Sequence, residues 1–432
     1  MDIPSLYQVF LQCDSVTTDS RHCPENSLFF ALKGNSFDGN QYASQALDKG
    51  SRYAIIDDPA CQPTADARYI LVEDCLLALQ QLAAYHRRQM AIPVIGITGT
   101  NGKTTTKELI SCVLAKRHQV LYTEGNLNNH IGVPLTLLRL RKEHTLAVIE
   151  MGANHPGEIR ELAAIADPDY GLITNIGKAH LEGFGSLEGV IRTKGELYDH
   201  LRKKKEGVVF IHQDNPLLRD IAHHLSLVGY GTTEECFIRG KITGSSPYLS
   251  LCWKGSGETT TQAITTQLIG SYNFPNALAA ITVGRYFDIP ATEIDAALAA
   301  YQPTNHRSQL IRTAHNLIIM DAYNANPTSM QAALDNFRHM EATDKVVILG
   351  DMKELGEESL QEHQKIADLL SSSGFHRVIL IGNEFSQIRH PFERFPDVTA
   401  FAESLRQKPI TGSTILIKGS NSTRLTTLAN QL

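Results

Sequence analysis

The stretch Ile95-Gly96-Ile97-Thr98-Gly99-Thr100-Asn101-Gly102-Lys103-Thr104-Thr105-Thr106 decides the fold of the central part of this 432-residue chain. An apolar run over 92–97 predicts a buried strand. After a glycine-rich turn, the pattern predicts a helix whose apolar face carries Leu109, Ile110, Val113 and Leu114. Such a strand, turn and helix form a phosphate cradle, in which backbone N–H groups and the helix N-terminus face the anion.

Two side chains of the turn have specific expected roles. Lys103 reaches the outer phosphates of a nucleotide, and the hydroxyl of Thr104 ligates magnesium. The pattern G-x-x-x-x-G-K-[ST] is matched imperfectly, because Ile97 stands at its first glycine. A chance Gly-Lys-Thr is the alternative, but the flanking strand and helix argue against it. The predicted nucleotide-binding loop comprises Gly99, Thr100, Asn101, Gly102, Lys103, Thr104 and Thr105.

The composition is that of an ordinary globular protein, with 42% apolar and 20% charged residues. A net charge of −6 and a pI near 6.3 argue against a nucleic-acid partner and against a basic membrane-surface protein. The first residues do not resemble a signal peptide, and no apolar run reaches transmembrane length. Seven scattered cysteines without a Cys-x-x-Cys pair favour reduced thiols. We therefore expect a cytoplasmic protein without membrane insertion, and a monomer because no heptad pattern is evident.

The chain divides into three segments where its pattern changes. Residues 1–88 predict a small N-terminal α/β domain that ends in a helix over 76–88. Residues 89–303 alternate strands and helices, which predicts a mostly parallel sheet in a central P-loop-type ATPase domain, with a β-rich excursion over 254–267. Residues 304–432 repeat the alternation in a C-terminal Rossmann-like domain. The predicted fold class is therefore α/β with three domains.

Two candidate site residues follow predicted strands near the cradle. Glu150 ends the apolar strand over 146–149, and a carboxylate at such a strand end commonly holds magnesium. A solvated loop acid is the alternative. His180 follows the strand over 171–176 at the same sheet edge, where a neutral imidazole serves as a metal ligand or proton carrier. Taken alone, a plain loop histidine is the simpler interpretation.

Lys194 lies on the apolar stripe of a predicted helix that begins at Leu187, between Ile191 and Tyr198. One interpretation is a stem whose ammonium group reaches solvent. The other is that burial lowers the pKa of the amine, so that its neutral form is available. A neutral amine captures carbon dioxide and becomes an anionic carbamate that ligates metal.

Further polar candidates lie in the second half of the chain. Asn273 and Asn276 donate and accept hydrogen bonds, as an adenine edge requires, although helix capping by Asn273 fits equally well. Arg307 at the junction of two domains is suited to clamp phosphate when they close. Open α/β sheets bind ligands past their strand ends, where the third domain carries Asp321, Asp351, Asn383 and Lys418.

The turn over 98–105 resembles the ATP loop of the Mur ligases and of their folylpolyglutamate synthetase relatives. Three further stretches resemble those Mur ligases that add D-alanyl-D-alanine to UDP-N-acetylmuramoyl-tripeptide: Glu-Gly-Asn-Leu-Asn-Asn-His-Ile-Gly-Val-Pro over 124–134, Asp-Ala-Tyr-Asn-Ala-Asn-Pro over 321–327 and Leu-Gly-Asp-Met-Lys-Glu-Leu-Gly over 349–356. The resemblance covers essentially the whole chain. It implies an ADP-forming amide ligase that acts through an acyl phosphate in the last cytoplasmic step to the pentapeptide precursor of peptidoglycan.

The resemblance implies ATP and two magnesium ions as cofactors. One ion is held by phosphate oxygens together with Thr104 and Glu150. The second is held by Glu150, His180 and a carbamate formed on Lys194 from carbon dioxide. Since Lys103 binds the phosphates, the implied catalytic residues are Lys103, Glu150, His180 and Lys194.

The resemblance also implies contacts to the rest of the nucleotide and to both substrates. Beyond the loop, the adenine, ribose and phosphates of ATP are met by Asn273, Asn276, Asp321 and Arg307. The uridine nucleotide lies near Ser20 and Arg21. The muramoyl-peptide path and the border of the dipeptide site are formed by Asn126, Asn128, Asn129, Asn324, Asn326 and Lys418.

Four positions depart from the residues usual in the family. Tyr272 and Asn40 each replace a histidine, and Asn421 replaces an arginine, which puts individual ligand contacts in question. His306 stands where the hinge often has glycine. None of the four substitutions removes a phosphate or magnesium group.

Three other functions compete with this ligase. A folylpolyglutamate synthetase-like or other Mur-type ligase shares the ATP loop but should lack the stretches over 321–327 and 349–356. A nucleotide-switched binding protein has little use for the acid, histidine and buried-lysine set, and its NTP turnover would not require both peptide substrates. A non-catalytic scaffold is at odds with the intact set Lys103, Thr104, Glu150, His180 and Lys194.

Overall fold

A computed structural model describes residues 1–63, 66–304, 307–342 and 344–432. Over these ranges the chain forms three α/β domains, each built on a sheet of its own, and the fold class predicted from the sequence is confirmed. The domain boundaries after residues 88 and 303 stay predictions. None of the helices in the described ranges has the length and apolar character needed to cross a membrane.

The N-terminal domain is a small parallel sheet with helices packed against it. Its sheet has the order β1-β2-β5-β6, and a short hairpin, β3-β4, lies beside it. The elements are α1 Ile3–Phe10, β1 Ser15–Thr17, β2 Ser27–Phe30, β3 Lys33–Gly34, β4 Phe37–Asp38, α2 Ala43–Asp48, β5 Ser51–Ile56, β6 Tyr69–Leu71 and α3 Cys75–Met90.

The central domain contains a large mixed sheet with the order β15-β14-β13-β12-β11-β10-β7-β9-β8. Its strands pair in parallel from β8 to β13, whereas β13, β14 and β15 pair antiparallel. The β-rich excursion predicted over 254–267 covers the end of β14, the turn after it and most of β15. The elements are β7 Val94–Thr98, α4 Lys103–Leu114, β8 Val120–Tyr122, α5 Gly132–Leu137, β9 Leu146–Glu150, α6 Glu158–Ala166, β10 Tyr170–Ile173, α7 Leu181–Phe184, α8 Leu187–Leu201, β11 Val208–His212, α9 Pro216–Ile221, β12 Ser226–Gly231, β13 Ile238–Gly244, β14 Tyr248–Gly255, β15 Gln262–Ile269, α10 Phe274–Tyr286 and α11 Ala291–Ala300.

The C-terminal domain has a sheet with the order β16-β17-β21-β18-β19-β20, parallel except for the edge strand β16. Its faces are covered by separate hydrophobic clusters around Phe337 and Phe401. The elements are β16 Gln309–Arg312, β17 Leu317–Asp321, α12 Pro327–His339, β18 Lys345–Gly350, α13 Ser359–Ser371, β19 Arg377–Ile381, α14 Asn383–Gln387, β20 Glu393–Phe395, α15 Val398–Gln407 and β21 Thr414–Lys418.

Helix α3 of the N-terminal domain packs against the central domain. One continuous hydrophobic core contains residues of both, for example Phe30 and Leu82 from the first and Leu162 from the second. The buried guanidinium of Arg87 donates to the backbone carbonyl of Ala166 and to the carboxylate of Asp169, at 3.1 and 2.9 Å. These contacts make the two domains one packed body.

The carboxyl ends of three adjacent strands bring the predicted chemistry to one sheet edge. Strand β7 lies between β10 and β9, and all three are parallel. The loop over 99–102 follows β7, Glu150 is the last residue of β9, and residues 174–180 follow β10. Ligands bind at this edge of a parallel sheet. The fold therefore brings together residues that are separated by up to about 80 positions in the sequence.

Candidate active site

A cleft of about 870 Å³ opens between the central and C-terminal domains. Its central-domain wall contains the phosphate loop, the end of β9 and the segment after β10. Its opposite wall comes from the C-terminal domain. The predicted site residues that line it are Thr100, Asn101, Gly102, Lys103, Thr104, Thr105, Asn126, Asn128, Asn129, Glu150, His180, Asn273, Asn276, Arg307, Asp321, Asn324 and Lys418.

The phosphate loop is held in a conformation that requires glycine at two positions. Gly99 and Gly102 have φ of +142° and +78°, a region that other residues rarely adopt. A Cβ at Gly102 would lie 2.8 Å from the Oδ1 of Asn276. The ammonium of Lys103 donates to the carbonyls of Gly99 and Thr100, at 2.8 and 3.1 Å. Burial lowers the pKa of Lys103, Glu150 opposes this shift, and Arg307 adds to it.

Gly102→Ala is expected to weaken ATP binding by at least about tenfold, because alanine there is strained and collides with Asn276. Calorimetric titration with ATP and Mg²⁺ measures the change. Gly257→Ala is the matched control, since Gly257 also has a positive φ of +75° but a Cβ there meets no atom within 4 Å. Equal ATP affinities for the two variants would contradict the steric argument.

Glu150 is buried, with 1% of its surface exposed, so the interpretation as a solvated loop acid is wrong. Its Oε1 accepts hydrogen bonds from the Thr104 hydroxyl at 3.2 Å and from the Asn128 carboxamide at 2.8 Å. Its Oε2 is buried and has no hydrogen-bond partner among the residues that the structure describes. An unpaired buried carboxylate oxygen is costly unless a cation or donor meets it. This oxygen is therefore suited to meet a cation beside Thr104.

The backbone around Glu150 is supported by Lys107, a residue that the sequence analysis missed. The Lys107 ammonium, 1% exposed, donates at 2.6 Å to the carbonyl of Thr123. The Thr123 hydroxyl in turn accepts from the Glu150 N–H at 3.0 Å. Lys107 shares the apolar face of α4 with Ile110 and Leu114. This lysine on an apolar stripe is the same signal that identified Lys194.

Lys194 is buried, with 2% exposure, so the interpretation as a lysine that reaches solvent is wrong. Its Nζ donates to the carbonyl of Ala153 at 3.4 Å and lies 5.1 Å from the ring centre of Phe184. Burial, together with the charge of Lys103, holds the pKa of Lys194 well below its ordinary value. The described residues that line the cleft include Ala153 but not Lys194. Lys194 therefore reaches the cleft wall only through its hydrogen bond to the carbonyl of Ala153.

His180 has a positive φ of +52° and occupies the N-cap position just before the short helix α7. Its Nδ1 contacts the carboxylate of Glu354 in the C-terminal domain, and the hydrogen bond from His180 lowers the pKa of Glu354. In the part of the chain that the structure describes, no cluster of three or more His, Cys, Asp or Glu side chains is arranged to hold a metal. A metal bound here would therefore need further oxygen ligands, such as the hydroxyl of Thr104 or phosphate oxygens of a nucleotide, in addition to the side chains of Glu150 and His180.

Asn273 and Asn276 lie side by side at the start of α10. Asn276 donates to Asn273 at 2.9 Å, and Asn273 donates to the carbonyl of Ile269 at 2.8 Å. Asn273 occupies the N-cap position without a side-chain capping bond, so the capping interpretation is wrong. His212 and Asn215 line the same cleft, and the sequence analysis missed both. Their position at the end of β11, on the same sheet edge, could have revealed them.

The C-terminal wall carries an ion pair. The buried ammonium of Lys418 donates to the carboxylate of Asp321 at 2.6 Å and to the carbonyl of Asn324 at 3.3 Å. The guanidinium of Arg307 stacks 3.8 Å above the ring of Tyr323, and its Nε is buried without a partner. Asp351 does not line the cleft. Its buried carboxylate instead accepts hydrogen bonds from backbone N–H groups at the start of α14.

The remaining predicted residues lie away from the cleft wall. Arg21 is exposed and pairs with Asp19 at 2.9 Å, and the neighbouring carbonyl of Ser20 accepts from Lys49 at 3.1 Å. Asn326 bonds Asn101 across the domain boundary, at 2.8 Å.

Three of the four departures lie in described segments. The hydroxyls of Tyr272 and Ser308 are 2.7 Å apart and link the central and C-terminal domains. Asn40 is buried and bonds Asp38 and Asp57, at 2.7 and 2.8 Å. Asn421 begins a short 3₁₀ helix. His306 lies outside the described residues.

Comparisons with known proteins identify the same family in all three domains of the chain. Family models match residues 12–87 (Mur ligase family, catalytic domain), 97–284 (Mur ligase middle domain) and 306–421 (Mur ligase, glutamate ligase domain). A curated protein of Bacillus subtilis (strain 168), named UDP-N-acetylmuramoyl-tripeptide–D-alanyl-D-alanine ligase, is 35% identical over 430 residues. That alignment covers 96% of this chain and 92% of the relative.

Solved structures give the same result. A crystal structure of MurF from Acinetobacter baumannii superimposes with a TM-score of 0.88 and 31% identity, covering 100% of this chain and 98% of that one. MurF ligase from Thermotoga maritima in complex with ADP gives a TM-score of 0.86 and 26% identity, with 98% and 97% covered. The similarity therefore extends over all three domains.

Proposed function

Because the chain belongs to the Mur ligase family, we propose that it is the ATP-dependent ligase that joins D-alanyl-D-alanine to UDP-N-acetylmuramoyl-tripeptide. The reaction forms ADP and phosphate and completes the UDP-N-acetylmuramoyl-pentapeptide for peptidoglycan synthesis. The observation that carries the proposal is the single cleft that contains the phosphate loop on one wall and Asp321, Asn324 and Lys418 on the other. ATP and an amine substrate can meet there.

The chemistry requires activation of a carboxylate, because oxide is a poor leaving group. The terminal carboxylate of the tripeptide attacks the γ-phosphorus of ATP, and the bond from that phosphorus to ADP breaks. The amine of the dipeptide then attacks the acyl phosphate through a tetrahedral intermediate, which loses phosphate and a proton to give the amide. The protein contributes mainly by positioning the reactants and neutralising charge.

The loop residues Gly99 to Thr105 would bind the phosphates of ATP, with Lys103 as the mobile cation. Lys103 is suited to this role because its present partners are loop carbonyls, which it can exchange for phosphate oxygens. Arg307 would meet the same phosphates, since its Nε is buried and has no hydrogen-bond partner within the described ranges. Asn273 and Asn276 would meet adenine, and Asp321 the ribose.

Magnesium fits the donors beside the loop, because Glu150 Oε2 is buried and unpaired and the Thr104 hydroxyl lies next to Oε1. Thr104 and Glu150 would hold one ion, and Glu150, His180 and a carbamate on Lys194 the other. Bound magnesium would offset the repulsion between the triphosphate and the carboxylate. Lys194 fits carbamate formation because burial favours its neutral amine.

Substrate contacts complete the proposal. The uridine nucleotide would lie on the N-terminal domain near Ser20 and Arg21. The muramoyl peptide would run past Asn126, Asn128 and Asn129, and the dipeptide would border Asn324 and Lys418, whereas the side chain of Asn326, also expected at the dipeptide site, is engaged with Asn101. The enzyme would act in the cytoplasm, as a monomer.

Asn128→Ala is expected to lower activity by about 10- to 100-fold and to raise the Mg²⁺ concentration needed for half-maximal rate, because Asn128 orients the Glu150 carboxylate. Rates measured over a range of Mg²⁺ concentrations test this. Asn126→Ala is the comparison: Asn126 is exposed and should alter only the KM for the tripeptide substrate. If Asn128→Ala alters only that KM, the orienting role is wrong.

The proposed function is tested by phosphate release from ATP and Mg²⁺ with purified protein. Four mixtures are compared: UDP-N-acetylmuramoyl-tripeptide, D-alanyl-D-alanine, both, and neither. We expect release only with both, matched one to one by pentapeptide product. Release without either substrate would indicate a nucleotide switch, and no release in any mixture would indicate a scaffold.

A further inference from the structure

Asn326 connects the C-terminal domain to the phosphate loop of the central domain. Its carboxamide forms a reciprocal pair with that of Asn101, 225 positions away in the sequence. Asn326 Nδ2 donates to Asn101 Oδ1 at 2.8 Å, and Asn101 Nδ2 donates back to Asn326 Oδ1 at 3.4 Å. Asn326 is buried, with 6% exposure. At this domain boundary, each of the two carboxamides therefore forms a hydrogen bond with the other.

The backbone of Asn101, the central-domain member of the pair, is held by hydrogen bonds within its own domain. The N–H of Asn101 donates to the side chain of Asn175 at 3.0 Å. Its carbonyl accepts from the Thr174 hydroxyl at 2.6 Å and from the Asn175 carboxamide at 3.0 Å. With these groups engaged inside the central domain, the Asn101 side chain is directed at the C-terminal domain from the middle of the loop.

The C-terminal member is equally fixed. Asn326 is the N-cap of α12, and its Oδ1 accepts from the N–H of Ser329 at 2.9 Å. The Ser329 hydroxyl accepts in return from the N–H of Asn326 at 3.1 Å. This capping box sets the orientation of the carboxamide. The direction in which Asn326 presents its Nδ2 is thus decided by α12.

A second contact runs beside the pair. The Thr100 hydroxyl bonds both the N–H and the carbonyl of Gly177, at 3.0 and 3.2 Å. Gly177 in turn lies against the first turn of α12: a Cβ there would come within 2.8 Å of the Thr328 hydroxyl. The first turn of α12 therefore packs against the phosphate loop directly through Asn101 and indirectly through Thr100.

We propose that Asn326 is a positioning residue for ATP: its carboxamide orients the side chain of Asn101 in the phosphate loop only when the C-terminal domain is docked. The affinity for ATP then depends on the position of the domain that, under the proposed function, carries the dipeptide site. This assigns to Asn326 a role different from the dipeptide contact predicted from the sequence. The inference rests on the proposed function for its link to the dipeptide, but not for its link to ATP.

Asn326→Ser tests the proposal, because serine keeps the N-cap but is too short to reach Asn101. We expect the KM for ATP to rise about tenfold, as for a lost buried hydrogen bond, while the KM for D-alanyl-D-alanine stays within twofold. Ser329→Ala is the control for the stability of α12, since it removes the hydroxyl half of the capping box but keeps the backbone N–H that orients the Asn326 carboxamide. Ser329→Ala should lower the melting temperature by about as much as Asn326→Ser does. It should leave the KM for ATP within twofold of the value for the unmodified protein.

A double-mutant cycle with Asn101→Ser gives the second readout. If the pair is the connection, the double variant binds ATP no more weakly than the weaker single variant. Fully additive losses would overturn the proposal. It would also be overturned if Asn326→Ser raised only the KM for the dipeptide, or if Ser329→Ala reproduced its effect on ATP.

Direct binding separates this proposal from the proposed function. The fluorescent analogue mant-ATP, with Mg²⁺ and no peptide substrate, reports the affinity of each variant for nucleotide. A tenfold weaker affinity for Asn326→Ser alone supports the loop contact even in a protein without ligase activity. Unchanged affinity in an active ligase overturns the contact and leaves the ligase function intact.

Discussion

Lys194→Ala is expected to lower the rate of pentapeptide formation at least about 10³-fold, with partial recovery when acetate or bicarbonate is added. The buried amine of Lys194 has a pKa well below its ordinary value because of burial and the charge of Lys103. Under our proposal its carbamate supplies negative charge to the second metal ion. Loss of one such charged group from a closed site costs about 10²–10³ or more in rate. A small carboxylate can enter the space that alanine leaves.

The measurement is the ligation rate of the variant against acetate concentration, with chloride at equal ionic strength as the reference. Lys107→Met is the matched control, because Lys107 is equally buried but donates to a backbone carbonyl. Its loss of activity should not respond to acetate. Full activity of Lys194→Ala without any additive would rule out the carbamate role, and rescue of both variants would show that acetate acts elsewhere.

Glu150→Gln is expected to lower the rate about 10³-fold or more and to remove the saturable dependence on Mg²⁺. Glutamine preserves the shape of the side chain and can still accept from Thr104 and Asn128. What it removes is the charge on the buried, unpaired Oε2. A metal ion contributes several kcal/mol to the stabilisation of charge in a transition state, so the loss should be large without unfolding the protein.

Rates measured at increasing Mg²⁺, together with the melting temperature, test this expectation. Glu161→Gln is the control, since Glu161 also lines the cleft but is exposed to solvent. It should keep an ordinary Mg²⁺ dependence. A Glu150→Gln variant that saturates with Mg²⁺ like the unmodified enzyme would show that this carboxylate does not hold the ion.

The parts of the fold that depend on local pattern could be predicted from the sequence. The helix expected over 76–88 is Cys75–Met90, and the excursion expected over 254–267 covers the end of β14, the turn after it and most of β15. The first central strand begins at Val94 rather than residue 92, because Pro93 lacks an N–H group for a sheet. The strand expected over 171–176 ends at Ile173, where Thr174 turns to bond Asn101.

The candidate site was predictable where one strand and its following turn supply it, as for Lys103, Thr104 and Glu150. It was not predictable where the contact is between distant segments. No periodicity or spacing relates Asn101 to Asn326, or His180 to Glu354, since each pair forms only when two domains pack together. The partner of Asn128 is the carboxylate of Glu150, which depends on the register of β9 beside the loop.

The hydrophobic core shared by the N-terminal and central domains affects how the protein unfolds. Because Phe30, Leu82 and Leu162 belong to one continuous cluster, the N-terminal domain cannot lose its structure without exposing apolar surface of the ATP-binding domain. The two should denature as a single cooperative unit. The C-terminal domain has two clusters on its own sheet, one of which reaches the central domain at its edge, through Ile269, so we expect it to form a second unit. Destabilising mutations in the N-terminal domain should therefore reduce nucleotide turnover without touching the nucleotide.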